Sequence, residues 1–265
     1  METSSRLVGS METPRALVLR APGTNCDLET AFALELAGAS TTLLHVGRLA
    51  ERAVSLRDFQ IFVVPGGFSY GDDLGSGKIF ANEIELRLHD ELEAFVDRGG
   101  LVLGICNGFQ ILVRAGLLPR PSGGQRVSLL PNESGRFECR WVHMRVADGN
   151  PCIFTRGIER LELAVAHGEG RLLVPPDAEG DIVPVLYYTD PDGRRAGYPH
   201  NPNGAYMDIA GLTDLSGHIF GLMPHPERFV RSSQHPGWTV SQEASGVGQG
   251  LAIFLNAVRY ARGLA

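Results

Sequence analysis

Apolar residues in this chain gather into short continuous runs, and most runs are followed by a glycine-rich break and then a stretch of helical periodicity. Residues 16–19 form the first run. After Pro22-Gly23, Thr24 or Asn25 can cap a helix in which Leu28, Phe32 and Leu36 recur every four residues until Gly38 stops it. Residues 41–46 and 61–64 predict two more strands, continuous and rich in apolar or β-branched side chains, as expected where a parallel sheet is buried on both faces. A helix follows over residues 82–98, with Leu88, Leu92, Phe95 and Val96 on one face and Gly99-Gly100 as terminator. The run at 101–105 predicts a fourth strand, with a helix from Asn107 to near Gly116. Strands alternating with helices over short connections predict an α/β fold: an open, mostly parallel, twisted sheet with helices on both faces. Beyond Gly116 the pattern becomes β-rich, at residues 137–146, 161–166, 183–188, 207–210 and 218–222, which predicts additional antiparallel strands extending or flanking the sheet. Residues 251–262, with Leu251, Phe254, Leu255 and Val258 at helical spacing, predict a closing helix. No linker or repeat divides the chain, so residues 15–265 are expected to form a single domain. Met11-Glu12-Thr13 repeats Met1-Glu2-Thr3, and residues 1–14 are expected to be a disordered leader or to contain an alternative start.

Composition narrows the function classes. At 265 residues the chain can bury a full core without disulfide or metal staples. Its 33 glycines, well above the usual ~7%, are scattered singly between apolar runs and so mark tight loops. Four cysteines at irregular spacing make neither a disulfide framework nor a C-x-x-C site, which fits a reducing cytoplasm. A net charge of −6 argues against general nucleic-acid binding. No segment approaches the roughly 18 apolar residues of a membrane span.

The chemistry centres on Gly104-Ile105-Cys106-Asn107-Gly108. This is the nucleophile elbow G-x-S-x-G with cysteine in place of serine, set at a strand–turn–helix junction as that motif requires. A helix starting at Asn107 turns free N–H groups and the positive end of its dipole towards the sulfur, which suits a nucleophilic thiolate and an oxyanion. The bland alternative is a buried, inert cysteine. A cysteine nucleophile needs a base and an orienter, and His225-Pro226-Glu227 follows the strand ending near Leu222. Residues two apart on extended backbone point to one side, so Glu227 can fix the His225 tautomer. His235-Pro236 shows that His-Pro also arises without such a partner. Gly66-Gly67, following a neighbouring strand, can add the Gly67 N–H to that of Asn107 as a second oxyanion donor. Gly75-Ser76-Gly77-Lys78 fails the phosphate-loop pattern, since Asp72 stands where its first glycine belongs and Ile79 follows the lysine. Cys26 is the rival nucleophile but lacks the elbow glycines, and the remaining histidines show no metal-ligand spacing. His167, in Ala166-His167-Gly168-Glu169-Gly170, ends a strand beside a loop.

These residues resemble the class I (triad) glutamine amidotransferases, and within them the glutaminase subunits of phosphoribosylformylglycinamidine synthase. The resemblance rests on Pro65-Gly66-Gly67-Phe68-Ser69-Tyr70-Gly71-Asp72, on residues 104–110 continuing to Gly116-Leu117-Leu118-Pro119, on Ala166-His167-Gly168-Glu169-Gly170, on Asn201-Pro202-Asn203-Gly204 and on Met223-Pro224-His225-Pro226-Glu227-Arg228, in that order. It implies a flavodoxin-like fold and hydrolysis of glutamine to glutamate and ammonia. Cys106 would be the nucleophile, His225 the base and Glu227 its orienter, with Gly67 and Asn107 supplying the oxyanion hole and Gln110 helping to hold glutamine. It further implies a synthetase subunit as partner, which takes the ammonia and carries ATP and magnesium, with no cofactor in this chain; a small third subunit is a further partner whose need is left open. Residues 73–78 depart from the commonest wording of the family, and residues 231–250 form a longer stretch than in its short members. A cysteine hydrolase or peptidase of related fold, and an idle binding subunit, are the competing readings.

Overall fold

The computed structural model describes residues 12–121, 124–239 and 246–263. Eleven strands are present among them: β1 (Arg15–Arg20), β2 (Ser40–His45), β3 (Ile61–Val64), β4 (Leu101–Ile105), β5 (Ser128–Pro131), β6 (Glu138–Val146), β7 (Arg160–His167), β8 (Glu169–Leu173), β9 (Val183–Thr189), β10 (Ile209–Thr213) and β11 (Ile219–Leu222). Five α-helices accompany them: α1 (Asp27–Leu36), α2 (Val46–Ala50), α3 (Lys78–Asp97), α4 (Asn107–Arg114) and α5 (Leu251–Ala261). Nine strands form one sheet in the order β2-β1-β3-β4-β11-β10-β9-β6-β7, and β5 pairs with β8 in a small second sheet. The first five strands in that order are mutually parallel and the remainder antiparallel, so the expected architecture is the one observed.

Burial explains the split. Every residue of β3, β4 and β11 is buried, as in a sheet covered on both faces, whereas β7 alternates buried and partly exposed residues. Helices α1 and α5 pack together as one covering group, and α2, α3 and α4 as another. The regularity that marked α1 faces outwards: Leu28, Phe32 and Leu36 are 65%, 39% and 43% exposed. The buried face carries Thr30, Ala31, Ala33 and Leu34 instead, mostly small side chains that let the helix lie close to the sheet. Helix α3 starts four residues before the expected position, and residues 46–50 form the short helix α2 rather than the end of a strand. The leader also needs correction: Pro14 is buried and its carbonyl accepts from Ser40 N at 2.8 Å, so the fold includes it, while residues 1–11 lie outside the described residues.

The turn after β4 is built by close approach. A Cβ on Gly108 would lie 1.8 Å from the Val64 carbonyl oxygen, and one on Gly104 would lie 2.8 Å from the Gly108 oxygen. Gly108→Ala is therefore expected to destabilise the protein by about 3 kcal/mol, because backbone overlap outweighs the ~1 kcal/mol that alanine gains in a helix. A urea midpoint equal to that of the parent would refute this.

Candidate active site

Three adjacent parallel strands, β3, β4 and β11, deliver Gly66-Gly67, Cys106 and His225 to one edge of the sheet. Ligands bind at this carboxyl edge in open α/β sheets. Cys106 occupies the corner between β4 and α4 with φ 52° and ψ −106°, a left-handed conformation that is rare for a side chain bearing a Cβ. That strain is held by the surroundings, since Cys106 N donates to Leu222 O at 2.8 Å and Gln110 N donates to Cys106 O at 3.2 Å. The Cys106 thiol points to the Ala166 carbonyl, 3.8 Å away.

His225 and Glu227 are both buried. His225 Nδ1 lies 2.6 Å from Glu227 Oε1, and His225 N donates to Ala164 O at 2.8 Å, which ties the turn after β11 to β7. An ionised carboxylate only accepts, so Nδ1 carries the hydrogen and Nε2 faces away from Glu227. Nε2 and Glu227 Oε2 make no hydrogen bond among the described residues. Burial opposes a charge on His225, yet the Glu227 carboxylate and then the Cys106 sulfur outweigh it, holding the imidazole pKa well above its ordinary value.

Gly67 has φ 148°, and a Cβ there would fall within 2.9 Å of Asn25 N, Gly23 O and Thr24 Cα, so only glycine fits. The N–H groups of Gly67 and Asn107 have no protein acceptor among the described residues. The loop between β3 and α3 is fastened rather than loose. Asn107 Oδ1 accepts from Ser69 N at 3.3 Å and from Ser69 Oγ at 2.6 Å, while its Nδ2 donates to Asp72 Oδ1 at 3.3 Å and Gln110 Oε1 at 3.0 Å. Asp72 also accepts from Gly77 N at 3.1 Å. Burial raises the Asp72 pKa despite these donors. Gln110 Nε2 donates to Glu169 O at 2.7 Å, so its amide fixes the start of β8.

The geometry also brings in residues that spacing alone does not. Cys26, the N-cap residue of α1, accepts from Arg228 Nη2 at 3.2 Å and donates to Asn25 Oδ1 at 3.2 Å. Its sulfur lies within 4.8 Å of ligand atoms of both His225 and Glu227. That trio has the donor types of a zinc site, but the Arg228 guanidinium already supplies a positive charge there. The signal for Cys26 was its place in the loop after β1, at the same sheet edge as the elbow. His167 is buried at the end of β7, with β8 beginning two residues later where a loop was expected.

The profile of the CobB/CobQ-like glutamine amidotransferase domain matches residues 13–261. Among similar proteins, the phosphoribosylformylglycinamidine synthase subunit PurQ of Dehalococcoides mccartyi is 53% identical over 95% of this chain and 99% of its own length. That of Methanococcus maripaludis is 43% identical over 93% and 97%. A chain in the structure of PurLQS from Thermotoga maritima superposes with a TM-score of 0.72 at 34% identity, covering 94% of this chain and 99% of that one.

Proposed function

Because the chain belongs to the CobB/CobQ-like glutamine amidotransferase family, we propose that it is the glutaminase subunit of phosphoribosylformylglycinamidine synthase, as its relatives' names have it. It hydrolyses glutamine to glutamate and ammonia and passes the ammonia to a synthetase subunit, which makes formylglycinamidine ribonucleotide in purine biosynthesis. ATP and magnesium belong, on this reading, to that partner. The observation that carries the assignment is the strained Cys106 elbow flanked by the His225–Glu227 pair on the neighbouring strand end.

Catalysis follows from the arrangement. The Cys106 sulfur attacks the carboxamide carbon of glutamine, and the carbonyl oxygen becomes an oxyanion that the Gly67 and Asn107 N–H groups can receive. His225 protonates the departing nitrogen, the C–N bond breaks, and ammonia leaves a glutamyl thioester on Cys106. His225, now neutral, takes a proton from water as its oxygen attacks the thioester carbon. Glutamate departs and the sulfur–imidazole pair is restored. Glu227 keeps His225 in the tautomer that both steps need. Gln110 contributes indirectly, by holding the Glu169 backbone beside the site. All four cysteines are free thiols, and no described helix is long and apolar enough to cross a membrane; both support a cytoplasmic location.

A glutamine-like chloroketone tests the reading. It should alkylate Cys106 and abolish glutaminase activity, with glutamine protecting. Label on Cys26 instead, located by peptide mass spectrometry, would overturn the assignment of the nucleophile, and no glutamine protection would overturn the substrate.

A further inference from the structure

His167 is 3% exposed, yet its Nε2 has no hydrogen-bond partner. Its neighbour Asn132 fixes which ring nitrogen carries hydrogen. Asn132 Nδ2 donates to two carbonyl oxygens, Arg136 O at 2.9 Å and His167 O at 2.8 Å, which leaves Oδ1 facing His167 Nδ1 at 3.1 Å. An amide oxygen only accepts, so Nδ1 holds the hydrogen and Nε2 holds a lone pair. A buried acceptor with no donor is uncommon in a folded protein, and here it calls for a donor from outside the chain.

The end of β7 that carries this ring borders the nucleophile. Ala166 O lies 3.8 Å from Cys106 Sγ, and Ala164 O holds the His225 backbone. On its other side the ring meets Gly170 and Asn203. A Cβ on Gly170 would lie 2.7 Å from His167 Nδ1 and Cε1 and 3.0 Å from Asn203 Nδ2, so a glycine there lets β8 pass directly against both side chains. Asn203, itself fully buried, donates to the buried Tyr188 hydroxyl at 3.3 Å. His167 thus adjoins both Ala166, whose carbonyl faces the Cys106 sulfur, and the buried pair Asn203 and Tyr188.

We propose that His167 Nε2 accepts an N–H hydrogen from the nitrogen released at Cys106, so that ammonia leaves the thioester uncharged and is held on the protein's interior side. The assignment rests on the glutaminase reading above. Burial, followed by the charge on His225, lowers the His167 pKa to about 3, so the ring accepts a hydrogen bond without becoming an acid. Burial also raises the Tyr188 pKa, so that phenol keeps its proton. Neither group converts ammonia to ammonium, which has no lone pair to attack an acceptor. A residue meant to activate water would instead need basicity, and His225 already supplies that.

Two substitutions separate this role from a structural one. In His167→Asn the shorter amide can still bond Asn132 but places nothing at the Nε2 position. In His167→Gln the longer amide restores an acceptor near Nε2 and gives up the bond to Asn132. Glutamate and amidated product are counted together for each variant in complex with the synthetase subunit, ATP and acceptor ribonucleotide. His167→Asn is expected to release several-fold more glutamate than product, with His167→Gln near the one-to-one ratio of the parent. The reverse order, or parental coupling in both, would overturn the proposal. So would loss of ammonia-dependent synthesis in both, which marks the ring as structural. Cys106→Ala serves as the control: if its complex cannot use free ammonia either, the glutaminase reading fails independently of His167.

Discussion

Cys106→Ala is expected to lower glutamine-dependent synthesis by the assembled complex on the order of 10⁵-fold or more, the scale seen when a covalent nucleophile is removed, while ammonia-dependent synthesis stays within about twofold of the parent. The asymmetry follows from where Cys106 stands. Its side chain is the only part of the elbow that bonds covalently to substrate, and alanine keeps the backbone contacts to Leu222 O and Gln110 N intact. Alanine also keeps a Cβ in the left-handed conformation, so the strain at φ 52° does not change. Cys26 is the one other thiol beside His225, and it is not expected to substitute. The Arg228 guanidinium holds its sulfur, and the Asn107 N–H that would receive an oxyanion belongs to the residue after Cys106. Parallel assays with glutamine and with ammonium salt at alkaline pH check this. Residual glutamine turnover above 1% of the parent, by analogy with the ~10²-fold loss from removing a single oxyanion donor, would mean that the sulfur of Cys106 is not the attacking atom.

Much of this site was legible in the chain because its parts are local. The elbow is five consecutive residues whose glycines have a steric reason to be there, and His225 and Glu227 are separated by one proline. The parallel half of the sheet was legible for a similar reason, since strands buried on both faces leave continuous apolar runs. Periodicity misled where small residues do the packing: α1 turns Leu28 and Phe32 outwards and buries Ala31 and Ala33. Strands β5 and β8 escaped because each is short and, among the described residues, finds only the other as partner. The contacts of Cys26 with Arg228 and of Asn132 with His167 join residues 202 and 35 positions apart, so no spacing rule reaches them. The glycines after β3 mark a loop in the sequence, but nothing in their spacing shows that the side chains of Ser69 and Asp72 fasten it to Asn107. Composition sets what a free loop could do; partners decide what it does.

Glu227→Gln is expected to cost on the order of 10⁴-fold in kcat, and His225→Ala roughly 100-fold more, because the orienter acts only through the base. The distinctive readout is pH. Burial alone disfavours a charged His225, and the Glu227 carboxylate is the leading influence that reverses this and raises its pKa. Glutamine keeps the shape and can still accept a hydrogen bond through its amide oxygen, but it carries no charge. The His225 pKa should then fall, and with it the pH at which the imidazolium that protonates the leaving nitrogen is lost. The alkaline limb of the kcat/KM profile should therefore move to lower pH in the variant. Stability must move with it. A raised folded-state pKa contributes stability that is fully present below the ordinary histidine value of about 6.5 and disappears as pH rises through the folded value. The thermal midpoint of Glu227→Gln should consequently lie furthest below that of the parent near pH 6 and approach it in alkaline buffer. An alkaline limb left in place, together with a stability deficit that does not narrow with pH, would show that Glu227 holds His225 by shape and not by charge.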